Sequence, residues 1–202
     1  KRERATSNIC TAQALLATMA GMYAVYHGKE GIFEIARHIN VLTGVLAREV
    51  VKYGYKQCNE SFFDTVEIEV PAGVSMETIR DLALGQKMNL RYIDDRKIGI
   101  SVDETTELAN INLILNILAK ANKILFTTFI CHPKECEKIR TFPEDMDRKS
   151  EFLTHPVFNS YHSETDMMRY LKTLENKDLA LNRTMIPLGS CTMKLNAAAE
   201  MF

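Results

Sequence analysis

The sequence lacks an excess of charge of either sign. Its 202 residues include 25 Lys and Arg against 26 Asp and Glu, for a formal net charge of −1. General nucleic-acid binding needs a basic surface that displaces counterions, so this class of function is excluded. Apolar residues make up 46% of the chain, which is too many for an intrinsically disordered protein. The composition is typical of a globular α/β or α+β protein.

Cysteine is also scarce, with five residues at irregular spacing and no apolar leader before them. An odd number in a chain of this length argues against a disulfide scaffold and indicates a reducing compartment. Cys131, His132 and Cys136 lie close together, but structural zinc usually takes four ligands in two pairs. Only His155 and His162 follow, at unsuitable spacing, so we expect ordinary thiols and no metal site.

Several catalytic signatures are missing. The chain has no Gly-x-Gly-x-x-Gly or Gly-x-x-x-x-Gly-Lys-Ser/Thr nucleotide loop. It has no Gly-x-Ser-x-Gly elbow and no His-Glu-x-x-His pair either. An uncharged run covers residues 5–26, but its polar residues favour a helix buried in protein over a membrane span. Function must therefore be sought in less common patterns.

The hydrophobic pattern predicts an α/β protein. A first helix, capped by Ser7 or Asn8, ends at Gly28, and a second runs from about Gly31 to Tyr53 with Gly54 as its C-cap. Further elements are predicted in the order strand, helix, strand, strand, helix: 65–70, 75–87, 90–92, 98–102 and 108–118. Residues 1–120 would then form one layer sandwich, with helices packed on a small sheet.

The remaining chain is predicted to contain a connector and a second unit. Residues 121–150 have no sustained period, and a new unit begins near Phe152. Ser163 with Asp166 three residues later predicts the start of a short helix. The chain starts without Met and stops at Phe202 within a helical pattern, so we expect both ends to be internal to a longer protein.

One segment, residues 185–196, concentrates polar groups. Gly189 permits an unusual backbone angle, and Ser190, Cys191 and Thr192 follow it, before Lys194 and Asn196. Backbone amides, hydroxyls, an ammonium and a carboxamide could together bind a small anion. A capped helix start with a solvated lysine explains the same residues. Cys191 is a weaker candidate nucleophile, because no nearby His is arranged to activate it.

Three stretches carry a family resemblance: Ala5–Ala17, Phe152–Thr165, and Leu174–Leu179 followed by Gly189–Asn196. In this order they resemble the P-protein of the glycine cleavage system, the pyridoxal-phosphate-dependent glycine decarboxylase family. The resemblance implies an α/β fold of the fold-type-I PLP-dependent transferase (aspartate-aminotransferase-like) class, built as two halves of which only the second binds the cofactor. It implies that residues 1–120 are the closing helix and small domain of the first half. Residues 121–150 would be the connector, and residues 151–202 the N-terminal segment of the catalytic half.

The resemblance also implies the chemistry. Members decarboxylate glycine through pyridoxal 5'-phosphate, release CO2 and transfer the aminomethyl group to the lipoyl group of H-protein. Ser190, Cys191, Thr192 and Asn196 match the family motif and are expected to line or support the glycine and cofactor pocket. The family's cofactor lysine follows a histidine much farther downstream, so Lys194, which follows Met193, is not expected to take that role. No catalytic residue is expected within this chain, which alone should be inactive.

The implied partners are lipoylated H-protein and further subunits, in a homodimer or a two-half heterotetramer. Glycine is the implied substrate, and no nucleic acid or membrane is expected. The implied location is cytoplasmic in a bacterium, which is favoured, or the mitochondrial matrix in a eukaryote. Two alternatives stay open: another fold-type-I enzyme such as an aminotransferase, or a non-catalytic interface half that supports a catalytic partner.

Overall fold

The computed structural model describes residues 12–130 and 139–177. The chain divides into two compact units, one of residues 1–32 with 151–202 and the other of residues 33–150. The domain boundaries that the resemblance implies stay a prediction. No helix in the described ranges is long and apolar enough to cross a bilayer.

The first helix, α1, spans Ala12–Glu49 and is interrupted at Gly28, whose φ of 64° and ψ of −171° are not helical. The predicted break at Gly28 is therefore confirmed, although helical residues resume directly after it. A 3-10 helix, Val50–Tyr53, follows α1. Gly54 then adopts φ 84°, and its N–H donates to the carbonyl oxygens of Val50 and Val51. The predicted C-cap is confirmed, since only glycine takes this left-handed conformation without strain.

The unit of residues 33–150 contains a four-stranded antiparallel sheet in the order β1-β2-β4-β3. Its strands are β1 Lys56–Gln57, β2 Thr65–Glu69, β3 Arg91–Tyr92 and β4 Lys97–Ser101. Val66 pairs with Ile100 and Ile68 with Ile98, and these four side chains are buried. Three strands match the prediction, whereas β1 was missed because two residues are too short to show a period.

Two further helices, α2 Met76–Gly85 and α3 Leu108–Ala121, complete the core of this unit. Ser75 is the N-cap of α2, as predicted. Glu107 opens α3 with a capping box in which Asn110 is the reciprocal partner. Ile79 of α2 and Leu115 of α3 are fully buried in the same cluster as Ile68. The fold is mixed α/β, as the hydrophobic pattern predicted.

Within residues 121–150, the described residues past α3 contain one regular element, the 3-10 helix Glu144–Met146. Thr141 is nevertheless buried. Its carbonyl oxygen accepts from the Phe62 N–H at 2.8 Å, and its hydroxyl accepts from Asn40 Nδ2 at 2.7 Å. These long-range bonds hold this aperiodic stretch against the rest of the unit of residues 33–150.

The other unit contains the start of α1, a 3-10 helix Pro156–Asn159 and the helix α4, Glu164–Glu175. Ser163 Oγ accepts from the Asp166 N–H at 3.2 Å and lies 2.7 Å from Asp166 Oδ2, to which it donates. The predicted start of a short helix at Ser163 is confirmed. The cap satisfies one of the amides that the first turn leaves without a helical partner.

Candidate functional site

The residues that the sequence marks as the pocket lie outside the described ranges. This applies to Ser190, Cys191, Thr192, Asn196 and the neighbouring Lys194. It applies equally to the group of Cys131, His132 and Cys136. Their roles therefore remain predictions.

The structure does describe the segment Phe152–Thr165, the second of the three stretches that carry the resemblance. Part of it lies against the break in α1. A Cβ atom at Gly28 would be 2.6 Å from His162 Cε1 and 2.8 Å from the Phe158 carbonyl oxygen. Real Cβ contacts are not this short, so the close approach of the two backbones requires glycine.

The imidazole ring of His162 contacts α1 through its Nδ1 atom. Its Nδ1 lies 2.7 Å from the Tyr26 carbonyl oxygen. A carbonyl oxygen only accepts, so Nδ1 carries the proton in this bond, and Nε2 of the neutral ring is left as an acceptor. The assignment of the tautomer follows from the partner atom.

Hydrogen bonds order the loop before His162. His155 Nδ1 accepts from the Val157 N–H at 3.2 Å, so the proton of its neutral ring is on Nε2. Asn159 Nδ2 donates to the carbonyl oxygens of Leu153 and His155, each at 3.1 Å. The two imidazoles are thereby held in opposite tautomers, with His155 presenting a donor at Nε2 and His162 an acceptor.

An ion pair joins the start of this loop to α1. The Lys29 ammonium donates to the Glu151 carboxylate, and it lies 5.9 Å from the centroid of the Phe152 ring. Its hydrogen bond to Glu151 raises the pKa of Lys29 above its ordinary value. Both side chains are exposed to solvent, so the pair orients the loop more than it stabilises the fold.

The local pattern did not indicate this arrangement. The helical period predicts only that a helix ends at Gly28. The structure also places His162 against this glycine, and the bond between Tyr26 and His162 joins residues that are 136 positions apart in the chain. The one available signal was that His162 lies in a stretch that carries the resemblance. Within the described ranges, no group of three or more His, Cys, Asp or Glu side chains is placed to bind a metal ion.

Comparison with known proteins places the chain in a family. The family model described as "Glycine cleavage system P-protein" matches residues 1–118. Curated relatives named "Glycine dehydrogenase (decarboxylating)" align with the whole chain. The protein from Bacteroides thetaiotaomicron is 51% identical over 207 aligned positions, and that from Nostoc punctiforme is 49% identical over 207. The protein from Vibrio parahaemolyticus is 51% identical over 201 positions.

The alignments cover the whole of this chain. They cover only 21% of the Bacteroides protein, 21% of the Nostoc protein and 20% of the Vibrio protein. The chain thus spans about a fifth of the length of the curated relatives it matches. The family match covers more than half of the chain. The stretches of resemblance at 152–165, 174–179 and 189–196 lie beyond that match but within the alignments to the curated relatives. The chain belongs to the glycine cleavage system P-protein family.

Proposed function

We propose that this chain is part of a glycine decarboxylase that releases CO2 and transfers the aminomethyl group of glycine to the lipoyl group of H-protein. The observation that carries the proposal is identity of about one half, over the whole chain, to proteins named as decarboxylating glycine dehydrogenases. The printed name gives the activity of those relatives. It supports the same activity for the longer protein of which this chain would be a part.

Pyridoxal 5'-phosphate is the cofactor we propose for that protein. When bound, it accepts the electron pair that remains on the substrate as CO2 leaves. The donor set of residues 189–196 fits an anionic substrate group, because Ser190 and Thr192 offer hydroxyls and Asn196 a carboxamide. These three side chains would bind and orient the glycine carboxylate, and Cys191 would support the pocket wall. Covalent attachment of the cofactor is not assigned to Lys194.

The finer fold assignment belongs to the same proposal. We place the chain in the fold-type-I, aspartate-aminotransferase-like class, with residues 1–120 as the closing helix and small domain of the cofactor-free half. Residues 121–150 would connect it to the N-terminal segment of the catalytic half, residues 151–202. Lipoylated H-protein, glycine, and a homodimer or two-half heterotetramer are the proposed partners and assembly. The location that follows is the bacterial cytoplasm, or the mitochondrial matrix in a eukaryote.

The alternative of an aminotransferase receives no support from the curated relatives named here, which are all glycine dehydrogenases (decarboxylating). The alternative of a cofactor-free supporting half differs in one measurable respect. In that case the polar segment would only cap a helix, and removing a cap costs about 1 kcal/mol of stability. Substitutions there would then change stability without changing catalysis.

Thr192→Val and Asn196→Ala in the full-length protein test the proposal. Losing a hydrogen bond to a charged group costs roughly 1.5–3 kcal/mol, so glycine–bicarbonate exchange should fall by about ten- to a hundredfold in kcat/KM. Bound pyridoxal phosphate should stay unchanged. Thr173→Val is the matched control, because Thr173 is an exposed residue of α4 whose hydroxyl bonds to the Arg169 carbonyl oxygen.

Each outcome decides between the two functions. Loss of exchange in both pocket variants, with the control near the parent rate, supports the glycine site. Unchanged exchange with a lowered melting temperature in the pocket variants would leave only the capping role. Absence of exchange in the parent protein itself, with cofactor bound, would overturn the decarboxylase assignment.

A further inference from the structure

The unit of residues 33–150 contains a cavity of ≈ 570 Å³ beside strands β3 and β4 and the start of α3. Its volume falls within the range of small-molecule sites. The floor is apolar, with Ile100 and Ile114 among its residues, whereas the rim carries amides, hydroxyls and two cations. This combination of an apolar floor and a polar rim is typical of a site for a small polar ligand.

The two cations of the rim are Lys87 and Arg91. The side chain of neither residue makes a hydrogen bond, an ion pair or a ring contact with any residue that the structure describes. Nearby cations differ: Lys97 bonds to Glu67 at 2.6 Å, and Arg96 to Glu69 at 3.1 Å. The side chains of Lys87 and Arg91 are therefore not ion-paired within the described residues, in contrast to those of Arg96 and Lys97.

One carboxylate, Asp103, also lines the cavity, and one of its oxygens accepts hydrogen bonds from neighbouring residues. Its Oδ1 accepts from the Thr105 N–H at 3.0 Å and from the hydroxyls of Thr105 and Thr106 at 2.9 Å each. These donors hold the pKa of Asp103 below its ordinary value, so it stays ionised. It forms no ion pair with Lys87 or Arg91, and the three charged side chains together leave the lining with a net positive charge.

Strand pairing fixes the position of Arg91 on the sheet. Arg91 pairs with Gly99 across β3 and β4. A Cβ atom at Gly99 would lie 3.5 Å from both Cβ and Cδ of Arg91, so the aliphatic stem of the arginine packs over the glycine. The stem is thus supported along its length, and less side-chain entropy is lost when the guanidinium binds a ligand.

We propose that this cavity is a binding site for a small oxyanion with two negative charges, held by Lys87 and Arg91. A guanidinium binds two oxygens of a phosphate or carboxylate group at once, and an ammonium adds a point charge. Asn89, which also lines the cavity, supplies a neutral donor. A phosphate group and a dicarboxylate share this chemistry, and the experiment separates them. The residues that line this cavity do not include any of residues 189–196, and the proposal does not depend on the function proposed for that segment.

Amide hydrogen exchange on the full-length protein tests the site directly. The protein is first incubated with pyridoxal phosphate, so that a cofactor site does not take up the added anion. Inorganic phosphate and succinate are the two probes at millimolar concentration, and acetate is the monovalent control. We expect phosphate or succinate to slow exchange in peptides covering residues 87–91 and 99–110, and acetate to have no effect at equal ionic strength.

Arg91→Gln and Lys87→Gln identify the ligating groups. Glutamine keeps the Cβ–Cγ–Cδ stem, so the packing of residue 91 over Gly99 is preserved. Each variant should weaken the anion's apparent affinity about tenfold, the effect of losing one charged hydrogen bond. Lys123→Gln is the matched control, since Lys123 shares a positive φ with Lys87 (57° and 58°) but does not line the cavity.

Protection by phosphate alone assigns a phosphate-bearing ligand, and protection by succinate alone assigns a dicarboxylate. Protection by both supports the site and leaves its ligand as either oxyanion. The proposal is overturned if neither probe protects these peptides in the parent protein. It is equally overturned if Arg91→Gln and Lys87→Gln, folded as judged by the parent's exchange pattern elsewhere, bind the probe as tightly as Lys123→Gln.

Discussion

The imidazole Nδ1 of His162 lies 2.7 Å from the carbonyl oxygen of Tyr26, two residues before the break in α1. In a continuous helix that oxygen would accept from the amide four residues later, but Gly28 leaves the helical conformation in between. A side-chain donor from a distant part of the chain bonds to this carbonyl oxygen beside the break. The break is therefore supported by a tertiary contact as well as by the freedom of glycine.

We expect Gly28→Ala to destabilise the protein by about 2 kcal/mol or more. This positive-φ, extended-ψ conformation is essentially restricted to glycine and costs another residue roughly 1–3 kcal/mol, and the new Cβ would overlap His162 and the Phe158 carbonyl. Gly21→Ala is the control, because its Cβ would meet nothing within 4 Å in the same helix. That variant should be more stable by up to about 1 kcal/mol. Chemical unfolding that gives equal stabilities for the two variants would contradict the account of the break.

Stability should fall at alkaline pH because of Tyr55. This side chain is 2% exposed and donates to the Leu118 carbonyl oxygen at 3.0 Å. Burial disfavours the phenolate and raises the pKa of Tyr55 well above the ordinary tyrosine value. The unfolded chain then loses this proton first, so the stabilisation is complete below a pH of about 10 and is lost above it, by up to about 1.4 kcal/mol per pH unit. Urea unfolding of the parent and of Tyr55→Phe between pH 9 and about 11 should show the steeper loss in the parent only.

The first turns of α1 should cause self-association of the 202-residue chain. Leu15 and Leu16 are each 65% exposed and Met19 58% exposed, on successive turns of one helix. Such an exposed apolar patch favours contact with another copy. Light scattering should show that Leu16→Lys lowers the mass, whereas Leu84→Lys, at an exposed leucine of α2, leaves it unchanged. A monodisperse monomer for the parent chain would be the contrary result.

The 202-residue chain should not bind pyridoxal phosphate covalently through a cofactor lysine. The reason is that the lysine which binds the cofactor is expected downstream of Phe202, and Lys194 is not its counterpart. Spectrophotometric titration with the cofactor, before and after borohydride reduction, measures this. A saturable absorbance band that disappears in Lys194→Ala would show that Lys194 does bind it.

Cys191 should act through its size and not through nucleophilic attack. In the full-length protein, Cys191→Ser keeps a small hydrogen-bonding side chain, so measurable glycine–bicarbonate exchange should remain. The assay is run beside a measurement of cofactor content and of the melting temperature. Complete loss of exchange in a folded, cofactor-loaded variant would reveal a chemical role of the sulfur.

The helices and strands could be predicted where neighbouring residues in the sequence specify them. The alternation of Val66 and Ile68 with polar residues is itself the property that places one face of β2 in the core. Gly54 and Ser163 terminate and start helices through bonds to residues at most four positions away. The described part of the candidate site was less accessible, because His162 meets Gly28 only after the chain has returned across more than one hundred residues.

The helix and strand periods, the caps and, through three stretches of resemblance, the family could be recognised from the amino-acid sequence. These features depend on residues close together in the chain, where covalent geometry limits the alternatives. Three features become visible only in the folded chain: the pairing of Lys56 and Gln57 as β1, the burial of Thr141, and the lack of a described ion-pair partner for the Lys87 and Arg91 side chains beside one cavity. Each of these depends on which distant groups meet in space, and hydrogen bonds and ion pairs form only where packing brings their partners within about 3–4 Å.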